Sequence, residues 1–270
     1  MSNPNLYLVG TIHFDIDGYM RLATLLELLS PPNVALEFSE DRLPSDGPAK
    51  PTNGNAAQLD QLLEERGLVL TPAQKKTFQE INNRMLSVWG FELKAAQAYV
   101  ERTPGATLHF VDLSLYRHGK EDFQTGYVQT LESAFQAGMQ SPEAKDDLLG
   151  LLDKGPDGYW RRYRADIQQA YASTGSLIHE LTAVIGSDDF EQLKHLFPPN
   201  VRRTIDQILN PERNNAMSEG IRRLYNGSDL VVAVMGLVHL SFVGSMLKDL
   251  DPTIIRLDEY ITAVQALSQV

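Results

Sequence analysis

The sequence predicts an α/β fold: a central mixed sheet built from both ends of the chain, with helices around it and a helical cap insertion. Three observations carry this. Short β-branched runs alternate with helical stretches in the first third of the chain. A long strand-poor, helix-rich segment follows. Strand signals then return near the far end, and strands at both ends must pair to bury their apolar faces.

The elements follow in order. Leu6-Tyr7-Leu8-Val9-Gly10 reads as a buried strand leading to Thr11-Ile12-His13. Tyr19 to Leu29 reads as a helix stopped by Ser30-Pro31-Pro32, and Asn33 to Glu37 as a second strand ending in a carboxylate. Together they make a β–α–β unit with a right-handed crossover. Leu43 to Asn55, with its Pro, Gly and Ser residues, reads as a loop. Thr71-Pro72 has the form of an N-cap and an N1 proline, opening a helix through Lys76 and Met85. Phe91 to Val100 is a further helix, and Gly105 to Asp112 a third strand. Lys120 to Gly220 is almost wholly helical, with breaks near Gly155-Pro156, Ser173-Thr174-Gly175, Gly186-Ser187 and Pro198-Pro199. Ser218 to Tyr225 is helical and leads into Val231-Val232-Ala233-Val234-Met235-Gly236-Leu237-Val238-His239. A helix from Ser241 to Leu250, a strand from Thr253 to Leu257 and a terminal helix from Tyr260 to Leu267 complete the reading. Residues 1–270 are taken as one domain, with 120–220 as the cap within it.

Composition narrows the function. A net charge of −11 argues against a nucleic-acid partner and against a polybasic membrane surface. The absence of cysteine excludes disulfides, thiolate metal sites and a cysteine nucleophile. No apolar run approaches the ~18–20 residues of a membrane span, and no signal-peptide pattern opens the chain, so a cytoplasmic protein is expected. P-loop, GxGxxG and GxSxG signatures are missing. His179-Glu180 lacks the second histidine of a zincin helix, since Val184 stands there.

The chemistry concentrates at strand ends. Two strands are each followed by Gly-x-x-His, with Gly10 and Gly236 permitting close backbone approach to a ligand. His13, Glu37, Asp112 and His239 all follow apolar runs, where open α/β sheets place their ligands. Imidazole and carboxylate donors suit Mn²⁺, Co²⁺ or Zn²⁺, with Fe²⁺ sharing the preference. A divalent ion there would activate water, with a carboxylate as general base. Asp15 is a further possible ligand.

With these residues identified, the chain resembles the TraB/PrgY/Tiki family. The resemblance rests on Leu8 to His13, on Val34 to Glu37 with Arg42, on Gly90 to Ala95 with Glu92, and on Gly105 to Asp112 with Arg117. It continues in Glu212-Arg213-Asn214 with Met217 and in Gly236 to His239. Leu113 and Asn214 depart from it, standing where the family has arginine and aspartate. The resemblance implies a divalent metal held by His13 and His239 with Glu37, Glu92 and Asp112. It implies Glu37 as ligand or general base, and Arg42, Arg117 and Arg213 positioning an anionic group or stabilising an oxyanion. Ion pairing with these same carboxylates is the competing role for each arginine. The expected function is metal-dependent hydrolysis of a peptide, amide or ester bond, on a small-molecule or peptide substrate. The alternatives are a non-enzymatic binder of a small molecule, peptide or haem-iron, and a degenerate scaffold.

Overall fold

The apolar runs assemble side by side into one sheet. The computed structural model describes residues 5–40, 69–113, 142–184 and 211–260. Strands β1 (Leu6–Thr11), β2 (Asn33–Leu36), β3 (Thr107–Phe110), β4 (Val231–Gly236) and β5 (Thr253–Arg256) pair in the order β3-β2-β4-β1-β5. All four pairings are parallel. This corrects the expected mixed sheet. The connections between successive strands contain helices, and helical crossovers return the chain in the same direction, as tight hairpins cannot. Every residue of β1 and β4 is buried, as befits strands covered on both faces. β4 lies between β1 and β2, with Val231 opposite both Leu6 and Asn33.

Helix α1 (Gly18–Leu29) packs on α3 (Phe91–Arg102). Their approach is close: a Cβ at Gly18 would lie 2.5 Å from the Phe91 ring. Helix α2 (Pro72–Val88) begins at the expected Thr71-Pro72. The Gln74 amide donates to Thr71 Oγ1, and the Gln74 side chain accepts from the Thr71 amide at 2.9 Å, a reciprocal cap.

Helices α4 (Pro142–Asp153) and α5 (Gly155–Val184) come from the inserted segment. The expected break at Gly155 is present, and its φ of 70° suits glycine. The expected break at Ser173-Thr174-Gly175 is not, because α5 continues through it. Ser173 is accommodated within it, its hydroxyl donating to the Gln169 carbonyl one turn back. Helix α6 (Pro211–Leu224) buries Arg213, Asn214, Met217, Ser218 and Ile221 on one stripe, so its buried face begins with two polar residues. Helix α7 (Leu237–Met246) starts directly after β4, four residues earlier than expected. Short 3₁₀ turns, Lys248–Leu250 and Leu257–Glu259, flank β5.

The main core joins the strands to α1, α3, α6 and α7, and Ile167 and Tyr171 bring α5 into it. A second apolar cluster, centred on Leu70, Ile81, Leu152 and Trp160, joins α2, α4 and α5, and Ile16 packs against it. Among the described residues no helix is long and apolar enough to cross a membrane. The loop at Leu43 to Asn55, the breaks at Gly186-Ser187 and Pro198-Pro199, and the helix beyond Tyr260 lie outside the described residues.

Candidate functional site

The two Gly-x-x-His segments leave adjacent strands in opposite directions, β1 toward β2 and β4 toward β5. Such a reversal opens a crevice at the carboxyl edge of a parallel sheet. Their local structures differ. β1 runs into a turn in which the Asp15 amide donates to the Ile12 carbonyl at 2.8 Å, and His13 lies within that turn. β4 enters α7 without a loop, so His239 is buried in the first turn of a helix. The strand register is also offset: Thr11, not Gly10, stands opposite Gly236. A one-residue offset turns the two glycines to opposite faces. A Cβ at Gly10 would meet Leu237 Cδ1 at 2.7 Å and Leu240 Cδ2 at 2.8 Å, so this glycine admits α7. A Cβ at Gly236 would meet His13 Nε2 at 3.1 Å and Glu37 Oε2 at 3.2 Å, so this one borders the site.

Glu37 is the centre of the arrangement. Its Oε1 accepts from Arg213 Nη2 at 2.6 Å and lies 3.3 Å from His239 Nε2. Its Oε2 accepts the Gly236 amide at 2.6 Å. Arg213 also grips Asp112, donating from Nη2 at 2.7 Å and from Nε at 3.0 Å. Burial works to raise the Glu37 pKa, but His239, Arg213 and His13 outweigh it and hold the carboxyl well below its ordinary range. Burial would likewise weaken the Arg213 cation, and its bonds to Asp112 and Glu37 more than offset this.

His13 stands beside this network. Its Nδ1 meets Glu92 Oε1 at 2.7 Å, in the first turn of α3. The Thr11 hydroxyl donates to the same oxygen at 2.9 Å. Burial works against the imidazolium, but the Glu92 bond and charge, with Glu37 further off, push His13 up to about 9. The ring is 54% exposed, so solvent reaches it while Glu92 fixes one face. Asp15 turns the other way: it accepts from Arg21 at 2.8 Å and from Tyr171 at 3.2 Å, and burial raises its pKa against the pull of Arg21.

Of the residues expected at the site, Glu37, Asp112, Arg213 and His239 thus share one network of hydrogen bonds and ion pairs, and His13 pairs with Glu92 beside it. Arg42 and Arg117 lie outside the described residues. The two departures have local roles. The Leu113 amide donates to Asp112 Oδ1 at 2.8 Å. Asn214 Oδ1 lies 2.8 Å from His239 Nδ1, so a neutral amide orients this ring. The sequence reading missed Asn214 as a partner and Thr11 as a support. Thr11 carried a signal, since a hydroxyl at a buried strand end must find an acceptor.

A metal would need three or more donors converging at about 2.0–2.3 Å. Among the described residues no three His, Asp or Glu side chains are so grouped. The chemistry of the donors explains this. Both Glu37 oxygens already accept hydrogen bonds, Asp112 holds Arg213, and His13 Nδ1 is on Glu92. In this arrangement the Arg213 guanidinium neutralises the buried carboxylates.

Comparison with known proteins agrees with the residues. No curated protein and no solved structure matches the chain. The family model of TraB/PrgY/gumN matches residues 2–253, from before β1 to the start of β5. The chain belongs to the TraB/PrgY/gumN family.

Proposed function

We propose that the chain is a binding protein for a small molecule or peptide, which it holds at the carboxyl edge of the sheet without hydrolysing it. The observation that carries this reading is the closed Glu37–Arg213–Asp112 network beside a half-exposed His13. The network is satisfied internally. His13, fixed through Nδ1, is left to offer Nε2–H to an acceptor or anionic group on the ligand. An aromatic pair flanks it: Phe14 and Trp89 meet edge to face at 5.1 Å, and Trp89 is half exposed. A ligand combining an acceptor with an apolar group suits both.

A second reading is metal-dependent hydrolysis of a peptide or ester. It is supported by the approach of His13, Glu37 and His239 to one another and by family membership. It requires Arg213 to release Glu37, so that histidine and carboxylate donors become available to Mn²⁺, Co²⁺ or Zn²⁺.

The test is a peptide library passed over the full chain, with calorimetry of the three metals and analysis of products. Retained, uncleaved peptides that are lost in His13→Ala support the binding protein. Metal-stimulated cleavage abolished by His13→Ala and His239→Ala overturns it in favour of the hydrolase. Neither binding nor cleavage points to the scaffold.

A further inference from the structure

The His13 turn is held from a distance. Tyr171 Oη accepts the Ile12 amide at 3.1 Å and donates to Asp15 Oδ2 at 3.2 Å, so one phenol bridges the residues on either side of His13. Two helical turns earlier, Tyr163 Oη donates to the Phe14 carbonyl at 3.0 Å. Arg164 then pairs with Asp17 at 2.9 Å. Tyr163 and Tyr171 are eight residues apart on α5, which places them on one face about 12 Å apart. The same helix packs along α7, which carries His239. α5 therefore touches both histidine-bearing segments.

We propose that Tyr171, supported by Tyr163, is a positioning residue that sets His13 against Glu92. The reasoning is geometric. A turn following a strand end has lost the sheet's hydrogen bonds, so its backbone groups need other partners. Here the two partners of Ile12 N–H and Phe14 C=O are phenols from one distant helix. Tyr171 and Asp15 are both buried, so their bond is shielded from competing water. With that phenol removed, Ile12 and Asp15 lose their common anchor, and His13 between them is free to leave Glu92. The proposal deepens the binding reading, since it concerns the residue offered to the ligand.

The test uses the full chain with Tyr171→Phe, which keeps the ring and removes the hydroxyl. Hydrogen exchange at the Ile12 amide is expected to rise about fivefold, the scale of one lost hydrogen bond, while Val232 in β4 stays as protected as in the parent. Modification of His13 by diethylpyrocarbonate is expected to rise by a similar factor relative to His109, because Nδ1 is no longer held by Glu92. Unchanged rates at both Ile12 and His13 in a folded Tyr171→Phe variant overturn the proposal. Should that variant fail to fold, Asp15→Ala removes the acceptor of the Tyr171 hydroxyl and provides the same His13 comparison, and an unchanged rate there overturns it equally. Neither measurement uses a ligand. A failure to retain peptides therefore rejects the binding reading alone, and an unmoved His13 rejects the positioning role alone.

Discussion

Arg213 lies between two carboxylates that are almost wholly out of water, and it is itself about 10% exposed. Arg213→Met would leave Glu37 and Asp112 without their guanidinium, a loss on the order of 3–5 kcal/mol. Arg213→Lys keeps the charge but cannot span both acceptors with a rigid fork, so an intermediate loss is expected. Urea unfolding of the two variants checks the order, and a loss below about 1 kcal/mol for Arg213→Met would contradict it. A second outcome concerns His13. Glu92→Gln removes the charge that outweighs burial, so the imidazole should fall from about 9 toward its ordinary value near 6.5, read by NMR titration of the ring. The residues that build this network were legible to different degrees. His13, Glu37, Asp112 and His239 announced themselves as ionisable groups directly after apolar runs. Asn214 looked like a lost charge, because its value as a partner exists only where α6 brings it to the His239 ring. Asp15 looked like a ligand because it lies two residues from His13, yet the turn points it toward Arg21 and Tyr171.

The elements were read well where periodicity and capping agreed. Thr71-Pro72 started α2 as expected; four of the five strands end within one residue of their expected last residues, and β3 ends two residues short. α7 was misplaced because Leu237, Val238, Leu240 and Val243 are apolar enough to continue either a strand or a helix. Its early start gives Gly10 its role. Gly10→Ala would press a methyl against the ends of Leu237 and Leu240 and should cost about 1–3 kcal/mol, measurable by thermal unfolding. If the loss is absent, α7 has room to shift and the packing argument fails. Tyr171 carried no local signal at all. A tyrosine on a helix is ordinary core material, and only the fold reveals which backbone it serves.

At the scale of the molecule, protonation links the site to stability. His13 has a folded pKa raised above its unfolded value. Its contribution is therefore complete below about pH 6.5 and is lost as pH rises through about 9. Glu37 has a depressed folded pKa, so its contribution is present above about pH 4.3 and is lost as pH falls further. Stability should hold from about pH 5 to 6.5 and decline toward 9, with a shallow alkaline limb because the His13 ring is half exposed. Melts of the parent and His13→Ala across this range check it; an alkaline limb of equal depth in both would remove His13 as its cause. The inserted segment is expected to depend on the rest of the chain. Leu152 and Trp160 cluster with Leu70 and Ile81, which lie outside residues 120–220. Expressed alone, 120–220 should lack a stable near-UV signature and a cooperative urea transition, and finding both would make it a separate domain.

The strand order also sets a timetable for synthesis. β2 and β3 can pair while the chain is still growing, but both neighbours of β1, β4 and β5, are made last. At about 5–20 residues per second, β1 waits on the order of ten to forty-five seconds on the ribosome before Val231 emerges. Throughout that interval Leu6 to Val9 has two open edges and two apolar faces. A nascent chain stalled before β4 is therefore a chaperone client, and slowing translation just upstream of Val231 should increase its aggregation.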